Sequence, residues 1–557
     1  MLHGSGGRME KKWWKEAVVY QIYPASFQDT DGDGTGDLKG ITRRLGYLEE
    51  LGVNVLWLCP VNQSPMRDMG YDISDYYKVN PLFGTGEDLD DLIAEAGKRG
   101  MKVLLDLVVN HCSNEHEWFR KALADPSSPY RDYFFFVSTP DGKEPNNFRS
   151  YTGGSVWERV GESNEFYFHA FAPGQPDLNW DCPRLRDEIV AMMEYWCRKG
   201  VAGFRVDAIG NLKKAPEVLQ RGSFPADGPD GRAFLEPHIV LQPGIEDYLG
   251  ELRDRVFRKY DSMTVAECTV PEDKVEEYLG EDGLFSMAFD FTYIDIDIEV
   301  GKGGDRLKPW TIGDFKVKLY ESQRYVQAHG WGTVFMENHD LQRSVSKFSA
   351  MTPEAVKALA ALWFFLRGTP YIYQGQELGM ANYPYTSPSQ LRDPFALVRY
   401  ENAEENGETK ESVFSYLKAR GRDNCRTPMQ WDSTENAGFS SAEPWIPVNP
   451  DYKEKNAERE VNDPGSVFSF YKEMIRLRLR SEHMPVLVYG DFRPVETEDS
   501  LFCYQRSYGG KTLTVAVNYS DREAEIPAAV NTSRVILNNL SSLGPRLQAY
   551  QAVVTEG

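Results

Sequence analysis

Three short acidic segments stand in a fixed order along this chain: Gly203-Phe204-Arg205-Val206-Asp207, Val265-Ala266-Glu267 and Glu337-Asn338-His339-Asp340. Each closes a run of β-forming residues, so each acid would stand at the C-terminal mouth of a strand, where a (β/α)8 barrel gathers its reacting groups. Three acids at one mouth fit the cleavage of a glycosidic bond. Doing this with retained stereochemistry needs a carboxylate that attacks and a carboxylic acid that protonates the leaving oxygen, roughly 5 to 5.5 Å apart. Asp207 suits the first role and Glu267 the second. Arg205 lies two residues before Asp207, on the same side of an extended strand, and its fixed charge would keep the nucleophile ionised. Val265, Ala266 and Cys268 give Glu267 an apolar neighbourhood, which would raise its pKa. Asp340, beside the His339 imidazole, could hold sugar hydroxyls more strongly as positive charge grows on the ring. Taken singly, any one of these acids reads equally well as a strand-end residue that caps the next helix.

The elements that must position these groups are visible as β-branched runs ending in polar turns. They fall at 18–24, 53–60, 102–110, 201–209, 263–269, 284–291, 333–340 and 370–377. Eight is the number the barrel requires. Helical periodicity fills the gaps, as over 88–99 and 354–367. The stretch 112–182, rich in aromatic, Asn, Gly and Pro residues, is too long for one helix and reads as an inserted domain beside the mouth. A second insertion spans about 381–462, followed by a helix at 467–480. From 485 to 557 the alternation of Leu501-Phe502-Cys503-Tyr504-Gln505 and of Thr512-Leu513-Thr514-Val515-Ala516-Val517 marks a small all-β sandwich domain. The expected class is therefore α/β, with a (β/α)8 barrel formed by 9–111 and 183–484. The Gly- and Ser-rich opening 1–8 reads as a cloning remnant before a native start at Met9.

Composition narrows the partners. The net charge of −22 argues against nucleic acid or an anionic membrane, and a neutral sugar has no quarrel with it. The seven cysteines, Cys59, Cys112, Cys182, Cys197, Cys268, Cys425 and Cys503, show no paired spacing, so neither a disulfide framework nor a zinc site is expected. No apolar run approaches the roughly 20 residues that span a bilayer. A reducing cytoplasm is the expected location.

In Asp29-Thr30-Asp31-Gly32-Asp33-Gly34-Thr35-Gly36-Asp37, carboxylates alternate with glycines, as hard oxygen ligands do in a tight calcium loop. Gly40 stands where an EF-hand needs its twelfth-position Glu, and the chain runs on into a barrel helix, which argues against an EF-hand. A metal-free loop that caps that helix is the alternative reading.

These segments resemble the α-amylase superfamily and, within it, the oligo-1,6-glucosidase and α-glucosidase group. The resemblance runs from about Trp13 to the C-terminus. It also includes Asp106-Leu107-Val108-Val109-Asn110-His111, Gln175-Pro176-Asp177-Leu178-Asn179-Trp180, Gly368-Thr369-Pro370-Tyr371-Ile372-Tyr373-Gln374-Gly375-Gln376-Glu377 and Arg422-Asp423-Asn424-Cys425-Arg426-Thr427-Pro428-Met429-Gln430-Trp431. The resemblance implies a retaining, exo-acting hydrolase of short α-glucosides with Asp207 as nucleophile, Glu267 as acid/base and Asp340 as stabiliser. It implies that Tyr71 stacks beneath the reactive glucose, that Asp68 grips its far hydroxyls, and that Arg422 pairs with Asp68 to close the pocket. His111 and His339 would hydrogen-bond the same ring, and Gln175 would either touch it or order the inserted domain. One calcium, or magnesium, would be held by Asp29, Asp31, Asp33, the Thr35 carbonyl and Asp37, in a structural role. No organic cofactor is implied, and the protein would be a monomer or weak homo-oligomer.

Three departures bear on specificity. Ala208 follows the nucleophile, where similar enzymes favouring α-1,6 bonds carry Val, and this leans toward α-1,4 or mixed preference. Gly210-Asn211-Leu212 and the proline-free Asp340-Leu341-Gln342-Arg343 depart from the usual patterns without touching the acids. A sucrose isomerase or transglucosidase would use the same acids, but Phe291-Thr292-Tyr293-Ile294-Asp295-Ile296-Asp297 lacks the Arg-rich patch of the isomerases. A trehalose-6-phosphate hydrolase would need basic residues at the leaving-group site, for which Lys213 and Lys214 are candidates. A non-enzymatic, transporter-associated relative would have lost the acids and gained a membrane span.

Overall fold

The computed structural model describes residues 11–299, 306–348 and 350–557, so the segment 1–8 lies outside the described residues. Eight short parallel strands form one sheet: β1 Val19–Ile22, β2 Val55–Leu58, β3 Lys102–Val108, β4 Gly203–Asp207, β5 Met263–Ala266, β6 Met287–Ala288, β7 Thr333–Val334 and β8 Thr369–Tyr373. Their order is β6-β5-β4-β3-β2-β1-β8-β7, which is that of a barrel laid open between β6 and β7. Nearly every residue in these strands is buried, because helices cover the outside and side chains fill the inside.

Backbone ladders join each neighbouring pair except β6 and β7 among the described residues. Side chains bridge that seam instead. The Thr333 hydroxyl on β7 donates to the Ala288 carbonyl on β6 at 3.1 Å, and the Tyr293 hydroxyl donates to the Phe335 carbonyl at 3.1 Å. On the opposite side, Gly203 allows β4 and β5 to close up, since a Cβ there would lie 1.8 Å from the Met263 carbonyl oxygen. That approach sets the spacing of the two strands that carry Asp207 and Glu267.

All eight expected strands form, yet several are far shorter than their β-branched runs. The run at 333–340 gives only Thr333–Val334 as ladder, because residues 335–340 leave the sheet and make their own turn, in which the Asp340 amide donates to the Asn338 side chain at 2.8 Å. The same loss shortens the run at 284–291 to Met287–Ala288.

Between β3 and β4 the chain forms a helix, Glu117–Ala124, and a three-stranded antiparallel sheet of Phe136–Ser138, Trp157–Arg159 and Glu165–Phe168. A second stretch joins this unit without having shown any periodicity in the sequence: residues 215–240, which follow β4. Phe148 pairs with Ala233 as a parallel bridge and stacks on Phe224 with ring centres 4.3 Å apart. The Asn146 and Asn147 side chains donate to the Val218, Gln220, Phe224 and Gly231 carbonyls.

After β8, helices Pro394–Glu401 and Lys410–Arg420 pack on each other through Leu391, Ala396, Ala403, Val413 and Leu417. Helix Val467–Arg480, capped by Ser466 on the Ser469 amide, occupies the expected residues. The C-terminal strands β9 Asp491–Pro494, β10 Leu501–Tyr508, β11 Lys511–Asn518, β12 Val535–Asn538 and β13 Ala552–Glu556 form an antiparallel sheet in the order β9-β10-β11-β13-β12. One face packs against helix Pro353–Phe364, and the other is covered by the 520s and 540s through Ala524, Val530 and Leu547. Among the described residues no helix is long and apolar enough to cross a membrane.

Candidate active site

The centre of the barrel mouth is one buried guanidinium. Arg205 on β4 lies in register with Asp106 on β3. Its Nη1 donates to Asp106 at 2.7 Å and to Asp207 at 2.5 Å, while its Nη2 pairs with Glu267 beyond the end of β5. Strand alternation produces this cluster: Arg205 and Asp207 are two residues apart and share a face. Ala208 then turns into the left-handed region, with φ +43°, and its amide donates to Glu267 Oε2 at 2.9 Å. For an L-residue that conformation costs roughly 1–2 kcal/mol. It fixes the second acid against the strand of the first.

Burial pushes both acids upward against the pull of Arg205, Asp207 to about 7 and Glu267 to about 7. Proximity to Arg205 leads the sequence to expect an Asp207 that stays ionised at neutral pH, whereas full enclosure outweighs one guanidinium that three carboxyls share. Asp106 rises to about 6 for the same reason. Asp340 behaves oppositely: burial would raise it, but His339, Arg422 and Arg426 together hold it well below the usual carboxylate range.

The remaining expected residues converge on this point. The Tyr71 hydroxyl reaches Asp106 Oδ2 at 3.0 Å and touches His339 Nε2, and its ring stacks on His339 with centres 5.3 Å apart and 9° between the planes. His339 Nδ1 meets the Gln21 amide at 2.8 Å, and Nε2 lies 3.0 Å from Asp340. Burial lowers the pKa of His339, which favours the neutral ring. His111 Nε2 lies 3.0 Å from the Tyr71 carbonyl. The Gln175 amide donates to Asp68 at 2.8 Å and lies 3.2 Å from His111 Nε2, so it orders both. Arg422 pairs with Asp68 as expected, at 3.4 Å, and reaches Asp340 at the same distance.

Three groups without a role in the sequence reading, together with Lys214, which was read there as a candidate for a phosphorylated leaving group, complete the site. Asp106 holds Arg205, and its signal was an acid within the apolar run of β3. Arg426 donates to Asp340 at 2.8 Å and to the His339 carbonyl at 3.0 Å. Asp393 binds Arg422. Lys214, exposed over only 1% of its side chain, pairs with Asp177 at 2.7 Å and also holds the Asn110 side chain and the Asn211 carbonyl. Lys214 thus ties the turn after Asp207 to the inserted sheet.

The loop 29–37 stands apart from these groups, with its contacts running to 438–445. Carboxylate oxygens of Asp29, Asp31 and Asp37 lie within 4.8 Å of one another. Asp33 is used differently, accepting from the Thr35 amide at 2.7 Å.

The α-amylase catalytic domain family matches residues 21–490. The chain belongs to the α-amylase family. It is a glycoside hydrolase of that family, and its full length is similar to α-glucosidases. The oligo-1,6-glucosidase of Parageobacillus thermoglucosidasius is 42% identical over 92% of each chain, and that of Bacillus cereus 41% identical over 98% of this chain and 99% of that one. The trehalose-6-phosphate hydrolase of Bacillus subtilis is 41% identical over 92% of this chain and 90% of that one. Among solved structures, the isomaltulose synthase SmuA from Protaminobacter rubrum superposes with a TM-score of 0.91 at 35% identity, covering 98% of this chain and all of that one.

Because Lys214 and Asp177 are paired out of water, removing one strands the other. Lys214→Met should lower unfolding free energy in urea by about 3–5 kcal/mol, and Lys214→Met with Asp177→Leu by clearly less. Equal losses in the single and double variants would show that the pair is not what joins the two segments.

Proposed function

We propose that this protein is an exo-acting, retaining α-glucosidase that removes the non-reducing terminal glucose of short α-glucosides of the maltose and isomaltose type. The observation that carries the reading is the binding of Asp207 and Glu267 by the two terminal nitrogens of one guanidinium. Two carboxyls so tethered support the short separation of about 5 Å that a covalent intermediate requires, and leave little room for the water of an inverting enzyme. Asp207 attacks the anomeric carbon while Glu267 protonates the leaving oxygen. Glu267 then takes a proton from water, which displaces Asp207 and releases glucose with its original configuration. Asp340, kept ionised by His339, Arg422 and Arg426, stabilises the charge that develops on the ring.

Tyr71, His111, His339, Asp68 and Arg422 would form a pocket for one glucose, with Asp68 and Arg422 beyond its far hydroxyls. The small Ala208 beside the nucleophile supports mixed linkage use with faster α-1,4 cleavage, while the oligo-1,6-glucosidase relatives support α-1,6 use. A phosphorylated leaving sugar has less support, since Lys214 is buried against Asp177 and Lys213 bonds the Tyr248 hydroxyl at 3.1 Å. We further propose that Asp29, Asp31 and Asp37 hold one Ca2+, or Mg2+, aided by the Thr35 carbonyl. The mutual approach of their carboxylate oxygens to within 4.8 Å supports this, and burial together with the negative charges of Asp33, Asp29 and Asp37 raises Asp31. The ion would be structural, and the protein would work in the cytoplasm as a monomer or weak homo-oligomer.

The deciding experiment measures initial glucose release from equal concentrations of maltose and isomaltose while proton NMR follows the released anomer. Faster maltose cleavage with α-glucose appearing first is expected; β-glucose appearing first would rule out the retaining mechanism, and cleavage of neither sugar would overturn the substrate class. The pH profile has a definite sign. Raising pH through about 7 removes the proton that Glu267 must donate, and lowering it through about 7 protonates the attacking Asp207. The kcat/KM curve is therefore a narrow bell centred near neutrality; a plateau spanning several pH units would refute this assignment. Chelation should lower Tm by several degrees, with recovery on adding Ca2+, and an unchanged Tm would remove the metal from loop 29–37.

A further inference from the structure

Arg422 is the cation at the proposed closed end of the glucose pocket, yet its main partner is not a pocket residue. Its Nε donates to Asp393 Oδ2 at 3.0 Å and its Nη2 binds Asp393 Oδ1, a forked pair on one carboxylate. Asp340 and Asp68 each accept one longer bond from Arg422, both at 3.4 Å. The Arg422 guanidinium also lies over the Phe395 ring at 4.5 Å, two residues beyond Asp393. Asp393 is itself fixed. It is 4% exposed, and the Arg392 and Asp393 amides donate to Asp423 Oδ2 at 2.7 and 3.2 Å. Asp423 adjoins Arg422 in the same turn, so the acid and its arginine are locked to each other through the backbone.

A forked pair occupies one lone pair on each oxygen of a carboxylate and the Nε–Nη2 edge of the arginine. Had Arg422 forked onto Asp68, that acid would have little left to offer a sugar. We propose that Asp393 is a positioning residue that draws Arg422 off Asp68, leaving the Asp68 carboxylate open to the far hydroxyls of the terminal glucose. The other close partner of Asp68 is the Gln175 amide on Oδ2, which leaves Oδ1 facing the pocket with one long contact to Arg422. Burial, only partly offset by Arg422, pushes Asp68 up to about 6, as befits an acid with a weakly engaged cation. Asp393 thereby sets affinity for the terminal sugar without touching it. The inference rests on the exo-glucosidase reading above.

The test is steady-state kinetics of the full-length enzyme on maltose and isomaltose. Asp393→Asn keeps the shape but gives up the charge, so Arg422 can turn onto Asp68. KM should rise at least tenfold while kcat falls less than threefold, and Asp393→Glu should recover most of the lost affinity. Should Asp393→Asn fail to fold, Asp423→Asn, which loosens the Asp393 backbone while keeping both members of the pair, should raise KM in the same direction. An unchanged KM in the folded variant overturns the assignment, and so does an equal loss in the Asn and Glu variants. Wild-type enzyme that releases glucose from neither sugar would instead overturn the functional reading, which separates the two failures.

Discussion

Everything at the mouth of this barrel depends on the cost of burying Arg205. A guanidinium removed from water must be surrounded by acceptors. Here it meets three carboxyls on three neighbouring strands: Asp106, Asp207 and Glu267. One cation cannot neutralise three anions in a low dielectric, so a proton must stay within the cluster near neutral pH. The electrostatic demand of the fold thus supplies what glycosidic chemistry needs: a proton ready for transfer beside a carboxylate that has lost its own. Gly203, by admitting the Met263 carbonyl, lets the strands come close enough for the sharing.

A second polar cluster works in the opposite direction. Around Asp340, two arginines face three acids, with Asp68 and Asp393 as the others. The more even balance holds Asp340 and Asp393 ionised, while Asp68, at its long contact to Arg422, stays raised. The mouth is therefore divided into a proton-bearing half on β4 and β5 and a charge-fixed half beyond β7. The inserted sheet closes over the first half through Lys214 and Asp177, and the segment after β8 closes over the second through Asp393, Arg422 and Arg426.

The strands and the acids were legible in the sequence because both leave local marks: β-branched runs, and polar residues where such a run stops. Asp207, Glu267 and Asp340 follow directly from those marks. What remained hidden depends on contacts between distant segments. Residues 215–240 carry no periodicity, since their only regular elements are two short 3-10 turns, Pro216–Leu219 and Glu236–His238, and they owe their order to Asn146, Asn147 and Phe148. The partner of Arg422 was hidden for a similar reason: Asp393 lies 29 positions earlier in the chain, and bonds from the Arg392 and Asp393 amides to Asp423 help to bring it round. Strand lengths were overestimated at β6 and β7 because propensity reports what a residue tolerates, not whether a neighbouring backbone is there to bond it.

The seam between β6 and β7 divides the site as well as the sheet. Asp207 and Glu267 lie near the β6 end of the strand order, whereas Asp340 follows β7 at its other end, to which the ladder runs the long way round through β1 and β8. Loss of the Thr333 and Tyr293 bridges would loosen this line without opening a single ladder between strands, and the His339 contacts to Gln21 and Tyr71 would then hold Asp340 to the rest of the mouth. Breathing motions of the native barrel are cheapest where backbone bonds are fewest, so amide exchange would begin along this line.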